Sequence, residues 1–479
     1  MKRRKITMKS LGLQLGVALL MAGCAGLAPK YQRPPAPVPA TWPAAAAWHG
    51  PTAEVGLKPV AEMDWREFIV DERLRQLIDL ALENNRDLRI ATLNIARAQA
   101  LYRIRRADLL PEIDATGSAS YQRLPEDFSG TGEARRVDQY SVGLGVSAYE
   151  LDLFGRVRSL KDQALEQYLA TEQAQRTVRI SLISLVATSF QTLAADRERL
   201  QLAQETLVSQ QTSFDLTRNR FEAGVANALA LSQARTSVEA AKVDVARFAA
   251  LVAQDENALS LVVGAPVPAD MAPLLLSGEL FAMNDLPPGL PSEVLLQRPD
   301  ILQAESLLKG FNANIGAARA AFFPRITLVS SLGYGSNELS DLFSEGSYAW
   351  SFVPRLTLPI FDAGGNAANL KVAKVDRDIA VAQYEKAIQT AFQEVADALA
   401  QRTTIGDQLT AQQALVEANA ESLRLSTARF VQGVDSYLSV LDSQRSLYGA
   451  QQNLITIRLA RVANLVTLFK ALGGGCSDG

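Results

Sequence analysis

Histidine is nearly missing from this chain. Among 479 residues there is one, His49, set in a stretch of Ala and Pro. A hydrolytic triad or a zinc site generally needs an imidazole supported by other polar groups, so a linker histidine is the plainer reading. Cysteine is as scarce: Cys24 and Cys476 supply neither a disulfide framework nor a CxxC metal site. Positive charge is short too. The first 23 residues hold five of the 48 Lys and Arg, and without them 43 basic residues face 51 acidic ones. A nucleic-acid binder needs the opposite sign, gathered against phosphate. No nucleophile–base pair and no metal constellation can be assembled from this inventory. The expectation is a protein with no enzymatic activity, no cofactor and no nucleic-acid partner.

A long apolar run is also lacking near the start. Leu11 to Met21, interrupted by Gln14, falls short of the ~20 residues of a spanning helix. It follows a basic stretch, KRRKITMK at 2–9, and leads to Met21-Ala22-Gly23-Cys24. That is the pattern of a secretory signal peptide over 1–23. The Ala-Gly-Cys end resembles the lipobox of bacterial lipoproteins, which implies that Cys24 is lipidated. Ala25 in the next position, where inner-membrane lipoproteins typically carry Asp, implies the outer membrane. Tyr31 to Pro43 is proline-dense and favours extended polyproline II, a spacer within an N-terminal segment 24–64.

What the chain does have is a unit written twice. Phe221-Glu-Ala-Gly224 matches Phe430-Val-Gln-Gly433, and Gly264 matches Gly473, both at an offset of 209. Upstream, Asp87-Leu88 matches Asp300-Ile301 and ADLLP at 107–111 matches AAFFP at 320–324, at 213. The first repeat is placed at 65–264 and the second at 292–475. The proline-rich stretch 265–291 is the connector between them, and 476–479 is a tail holding Cys476 as an unpaired thiol.

Each repeat reads as helix, two strands, two long helices. The strands are placed at 113–122, 140–149, 326–335 and 350–360. Ala115, Gly117, Ala119 and Tyr121 alternate with Thr116, Ser118, Ser120 and Gln122; Tyr140, Val142, Leu144, Val146 and Ala148 alternate with Ser and Gly. In the last strand Trp350, Phe352, Leu356, Leu358 and Ile360 share a face opposite Arg355 and Thr357. Period two puts these sets on opposite sides. About ten residues suits a tilted strand crossing a bilayer, and Tyr121, Tyr140, Tyr149, Tyr334 and Trp350 suit its interfacial girdle. Alternation alone also fits a soluble sandwich with one wet face. If the strands do span a membrane, four are too few, because both sheet edges would leave backbone groups unpaired in hydrocarbon. Several chains must then share one barrel.

Two helical hairpins, 156–263 and 366–472, follow the strand pairs. From Arg156 to Glu222 there is no proline or glycine, enough for a helix ~100 Å long. Leu193, Leu200, Leu207, Phe214 and Phe221 recur every seven residues, and the second hairpin repeats the spacing at Arg402, Leu409, Val416, Leu423 and Phe430. From Leu438 through Leu441, Arg445, Tyr448, Gln452 and Ile455 to Phe469 the steps are three and four. A 3.5-residue seam calls for partner helices, in a bundle or a tube.

In this order, lipobox, spacer, duplicated strand pairs and long hairpins resemble the TolC-like outer-membrane efflux proteins, most closely the OprM-type lipoproteins that serve RND pumps. The most specific stretch is 429–475, with RFVQGVD at the tip and LDSQRSLY after it. Arg298-Pro-Asp-Ile301 and Phe361-Asp-Ala-Gly-Gly365 also look like family signatures. The resemblance implies an α+β membrane fold: a homotrimer closing a twelve-stranded transmembrane β-barrel, continued by a long periplasmic α-helical barrel. It implies a passive duct for drugs or other small molecules, lipid-anchored in the outer membrane and extending into the periplasm, partnered by a periplasmic adaptor (membrane fusion) protein and an inner-membrane pump. A type I secretion duct shares this fold, and a non-conducting coiled-coil lipoprotein scaffold is the reading outside the channel class.

The hairpin reversals at Gly224 and Gly433, flanked by Phe221 and Phe430, are expected at the periplasmic tip. Asp435 and Asp442, seven apart, are expected on one side of the returning helix, with Arg429 and Arg445 as candidate partners. Inter-chain Asp–Arg pairs holding the tip shut would make these four the gate.

Overall fold

The structure is a computed structural model of one chain and describes residues 26–42, 60, 63–130, 132–276, 281 and 292–475. The signal peptide, Cys24, His49, Cys476 and most of 277–291 lie outside the described residues. The elements run α1 (Glu72–Asn84), α2 (Arg86–Ala107), β1 (Asp114–Leu124), β2 (Arg135–Leu151), α3 (Arg156–Glu222), α4 (Ala228–Val263), α5 (Pro299–Ala320), β3 (Arg325–Ser336), β4 (Tyr348–Thr357), α6 (Gly365–Val431) and α7 (Tyr437–Ala471). From α2 and from α5 the order repeats. The two longest helices, α3 and α6, have 67 residues each and start 209 apart.

Two compact units divide the chain. One takes 94–171 and 303–384 together with the described residues up to Pro35; the other takes 36–93, 172–302 and 385–479.

The first unit is built on a four-stranded antiparallel meander, β1-β2-β3-β4, in which β2 and β3 come from different repeats. Gly117, Val142, Tyr334 and Tyr348 lie in one cross-strand row, and Ala115, Leu144, Leu332 and Trp350 in another on the same face. The opposite face carries rows such as Ser118, Ser141 and Gly335, or Asp114, Gly145, Ser331 and Ser351. Serine hydroxyls pair across it, Ser118 with Ser141 at 2.8 Å and Ser331 with Ser351 at 2.7 Å. On the apolar face large side chains stay uncovered: Trp350 is 70 % exposed and Leu356 63 %.

The first strand pair runs further at its hairpin end than expected, β1 to Leu124 rather than residue 122 and β2 from Arg135 rather than residue 140, and two other details change. The last strand stops at Thr357 rather than residue 360, because Pro359 has no N–H to donate to a ladder. The alternation of β2 breaks between Val146 and Tyr149, where one extra residue forms a bulge. Ala148 therefore leaves the apolar face and Tyr149 takes the place.

An N-terminal strap lies along α5 in the same unit. Arg319 donates to the Leu27 carbonyl at 2.9 Å and Asn312 to that of Pro29 at 2.7 Å. Arg33 grips both carboxylate oxygens of Glu305, at 2.9 and 2.6 Å, and the Tyr31 hydroxyl donates to the same group at 3.0 Å. Burial alone would raise the Glu305 pKa, but these bonds and the charge of Lys309 outweigh it and hold it below the usual glutamate range.

In the second unit Trp65, Phe68, Leu74, Leu77 and Ile78 form a tight apolar base, with Phe68 stacked on Phe469 of α7. Arg298 is buried there and donates to the Ala471 carbonyl, Asp300 and Glu394. Burial would lower its pKa, yet the two carboxylates raise it above the ordinary arginine value. The Arg298-Pro-Asp300 motif thus caps the last helix. Along α6 the less exposed positions 402, 405, 409, 412, 416, 419, 423, 426 and 430 follow the 3.5-residue seam. On α7 the expected seam is displaced at its start: Leu438 and Arg445 are exposed, whereas Tyr437, Val440 and Leu441 are buried.

Backbones approach closely where Gly143 pairs with Gly333: a Cβ at Gly333 would lie 2.2 Å from the Val142 carbonyl oxygen, while one at Gly335 would meet nothing nearer than 3.8 Å. Gly333→Ala is expected to lower the thermal midpoint at which the β-sheet signal is lost, and Gly335→Ala to leave it unchanged, as read by circular dichroism of the purified protein.

Candidate functional site

The hairpin tips are both in the second unit, and they pack on each other. Ala234 of α4 and Tyr437, Val440 and Leu441 of α7 form a buried cluster, flanked by Phe214 of α3 and by Leu423 and Phe430 of α6. Phe430 meets the Tyr437 ring at 5.3 Å, and the Arg220 guanidinium lies 4.7 Å from the Phe430 ring centre. Four helix ends are tied at one point, so a change in one hairpin is felt by the other. Phe221, expected on the seam, is 40 % exposed instead.

Each reversal is made the same way. Gly224 and Gly433 sit in the left-handed region, at φ 74° and 76°. Their N–H groups donate to Phe221 and Phe430, and those of Val225 and Val434 to Arg220 and Arg429. Asn227 then caps α4 by accepting from the Ala230 N–H at 2.9 Å.

The two expected acids differ. Asp435 is not on the returning helix, which begins at Tyr437, but in the turn. There it takes a two-pronged ion pair from Arg429 of the same chain, at 2.5 and 2.9 Å. The hydrogen bonds and charge of Arg429 hold the Asp435 carboxyl below the usual aspartate range. A depressed folded-state value means that the pair supports the turn fully above that range and is lost only as pH falls below it. Asp442 lies on α7 and is 64 % exposed, with Arg445 of its own chain at 3.8 Å. The structure thus brings Arg429 to Asp435 tightly and Arg445 to Asp442 loosely.

Around the turns, Val225 (67 % exposed), Leu229 (65 %), Val434 (60 %) and Leu438 (48 %) stand uncovered. They are equivalent in pairs at the 209 offset, an apolar tip written twice. The sequence reading placed Leu438 on the seam and missed the other three; the repeat alignment, extended by a few residues, carries the signal.

Among the described residues no group of three or more His, Cys, Asp or Glu could hold a metal ion. The arrangement offers a charged, apolar-fringed tip and, in the other unit, a sheet with one apolar and one polar face.

Comparison with known proteins agrees with this chemistry. The sequence profile described as "Outer membrane efflux protein" matches residues 77–265 and 290–474. A relative from Pseudomonas putida, "Probable efflux pump outer membrane protein TtgC", is 52 % identical over 97 % of this chain and 95 % of its own. "Solvent efflux pump outer membrane protein SrpC", also from Pseudomonas putida, is 49 % identical over 96 % and 97 %. Among solved structures, the open state of the Neisseria gonorrhoeae MtrE outer membrane channel superposes with a TM-score of 0.84 at 38 % identity, covering 95 % of this chain and 99 % of that one. The fold is theirs: four strands of a transmembrane β-barrel, continued by the long helices of an α-helical barrel.

Alanine at Gly224 or Gly433 would meet no atom within 4 Å, so the cost is conformational, about 1 kcal/mol. Each substitution is expected to speed amide exchange in residues around the turn while leaving exchange at the Trp65–Phe469 base unchanged.

Proposed function

The chain belongs to the outer membrane efflux protein family and is an outer-membrane efflux channel, and from that premise we propose that three copies close one passive duct. The observation that carries this is the pair of open sheet edges, β1 and β4, on a sheet whose apolar face is fit for lipid. Each buried unpaired backbone group costs several kcal/mol in hydrocarbon, and a ring of twelve strands removes every edge.

The repeat says how neighbours would meet. Within the chain, α5 lies on α3, with Gly310 beside Gln163 and Glu166 and Gly316 beside Ser159. Shifted by 209, those α3 positions become Ala368, Val372 and Val375 on α6; shifted by 213, the α5 stretch becomes 97–103 on α2. Both faces are bare in one copy: Val372, Val375 and Ile379 are 57, 46 and 50 % exposed, Leu101 and Ile104 51 and 59 %. A second copy covers them by repeating the internal contact. The strands follow suit. Asp114 pairs with Gly145 and its repeat equivalent Thr327 with Arg355, which makes Arg355 the equivalent of Gly145. Gly145 pairs with Ser331, the equivalent of Ser118. Arg355 of one copy then faces Ser118 of the next.

Cys24 is lipidated in this reading. What supports this is the strap, whose first described residue, Gly26, runs close to Gly155, four residues beyond the end of β2: a Cβ there would lie 3.3 Å from the Gly26 Cα. The exposed Val225, Leu229, Val434 and Leu438 offer an apolar surface to a periplasmic adaptor, which couples the duct to an RND-type inner-membrane pump. The cargo is small organic molecules, by analogy with the solvent efflux of SrpC, and no catalytic step is involved. At the tip, Asp435 is committed to Arg429 of its own chain, whereas Asp442 is exposed enough to bond an arginine of a neighbour and hold the end shut. Rings of three acids favour cations there.

Two measurements test this. In a Cys476→Ser background, Ser118→Cys with Arg355→Cys should give a covalent trimer on oxidation, and neither single cysteine should; absence of cross-linking, or a product stopping at dimer, refutes the ring. Asp442→Ala should raise single-channel conductance in planar bilayers severalfold, and unchanged conductance would remove the gate.

A further inference from the structure

The outer end of the β1–β2 hairpin carries arginines that neither the duct nor the gate employs. Arg123 and Arg136 are direct cross-strand partners, and Arg135 follows opposite Leu124. Like charges facing each other weaken a strand pair unless something neutralises them. Asp138 takes Arg136 at 2.6 Å, and the Arg136 guanidinium also lies 5.2 Å from the centre of the Tyr121 ring. Arg123 has no acidic partner among the described residues, and the acids of the turn, Glu126, Asp127 and Glu133, pair with none of the three arginines there. All three are exposed.

Register places the charge. Arg123 is two residues beyond Tyr121, and Arg136 four residues from Tyr140, both on the apolar face with Val142 and Leu144. Four residues along a strand tilted by ~40° rise about 10 Å. The two arginines thus lie one same-face row beyond Tyr121 and two beyond Tyr140, at the outer margin of the aromatic girdle on the side that faces lipid, at the depth of headgroups rather than acyl chains. They stand at the strand ends remote from the helices, which is the outer leaflet when the helices are periplasmic.

We propose that Arg123 and Arg136 form a binding site for a phosphate of the phosphorylated glycolipid in the outer leaflet, with Tyr121 supporting the Arg136 guanidinium. Arginine forks match phosphate oxygens two at a time, and a phosphomonoester carries more negative charge than the diester of a glycerophospholipid. The lipid answers the cross-strand repulsion that one Asp138 leaves half neutralised. The assignment rests on the barrel reading, which puts this face in lipid.

The test uses the full-length protein in detergent, with bisphosphorylated lipid A, the same lipid stripped of phosphate, and phosphatidylglycerol as probes. Native mass spectrometry reads the bound lipid. The wild type should retain lipid A about tenfold better than the stripped form or phosphatidylglycerol, as loss of a charge-assisted contact predicts. Arg123→Gln with Arg136→Gln should abolish that preference, and Arg135→Gln, on the polar face, should keep it. Equal retention of stripped lipid by the wild type, or a preference surviving in the double variant, overturns the site. Retention of phosphatidylglycerol equal to lipid A overturns the glycolipid assignment. Failure of the barrel reading shows separately, as a wild type that does not insert into phospholipid vesicles.

Discussion

A backbone amide in hydrocarbon must find a partner, and this chain cannot provide enough of them alone. Its sheet has four strands, with an unpaired side on β1 and another on β4, and a face of Trp350, Phe352, Leu356 and Tyr334 that water does not favour. A helix would satisfy its own backbone; a short sheet satisfies only its middle. Other features fall into line behind this. The duplicated repeat supplies strands in pairs, so that the junction between copies can reuse the geometry of the junction between β2 and β3. The long helices that follow each pair need company for the same kind of reason, since their seams at 3.5 residues leave apolar strips that one hairpin does not cover.

The most legible part of the molecule in the sequence was whatever repeats. Element order, the equal lengths of α3 and α6 and the seam on α6 all follow from periodicity, because period two and period 3.5 have distinct physical causes. What periodicity cannot carry was lost. The end of β4 depends on one proline, the bulge in β2 on a single inserted residue, and the phase of the α7 stripe on how the turn at Gly433 delivers Tyr437 to the core. Asp435 and Asp442 look alike seven residues apart in a string, but the helix begins between them. The strap was invisible too: Tyr31 and Arg33 read as a proline-rich spacer, and their partner Glu305 lies more than 270 residues away.

The ion pairs divide by environment rather than by number. Arg33 with Glu305 and Arg298 with Asp300 and Glu394 have one partner withdrawn from water, and each fixes the path of a chain segment. Arg445 with Asp442 is open to solvent on both sides, a pair of little consequence for folding and correspondingly free to change partners.

The two tips are equivalent in backbone but not in charge. Arg429 and Asp435 correspond to Arg220 and Ala226, so one turn holds a closed ion pair and the other leaves its arginine resting on an aromatic ring. An assembly of three such chains would present six turns of alternating character. A protein docking through one electrostatic mode would find only every second seat suitable, and one that fills all six must either tolerate both kinds or itself come in two orientations.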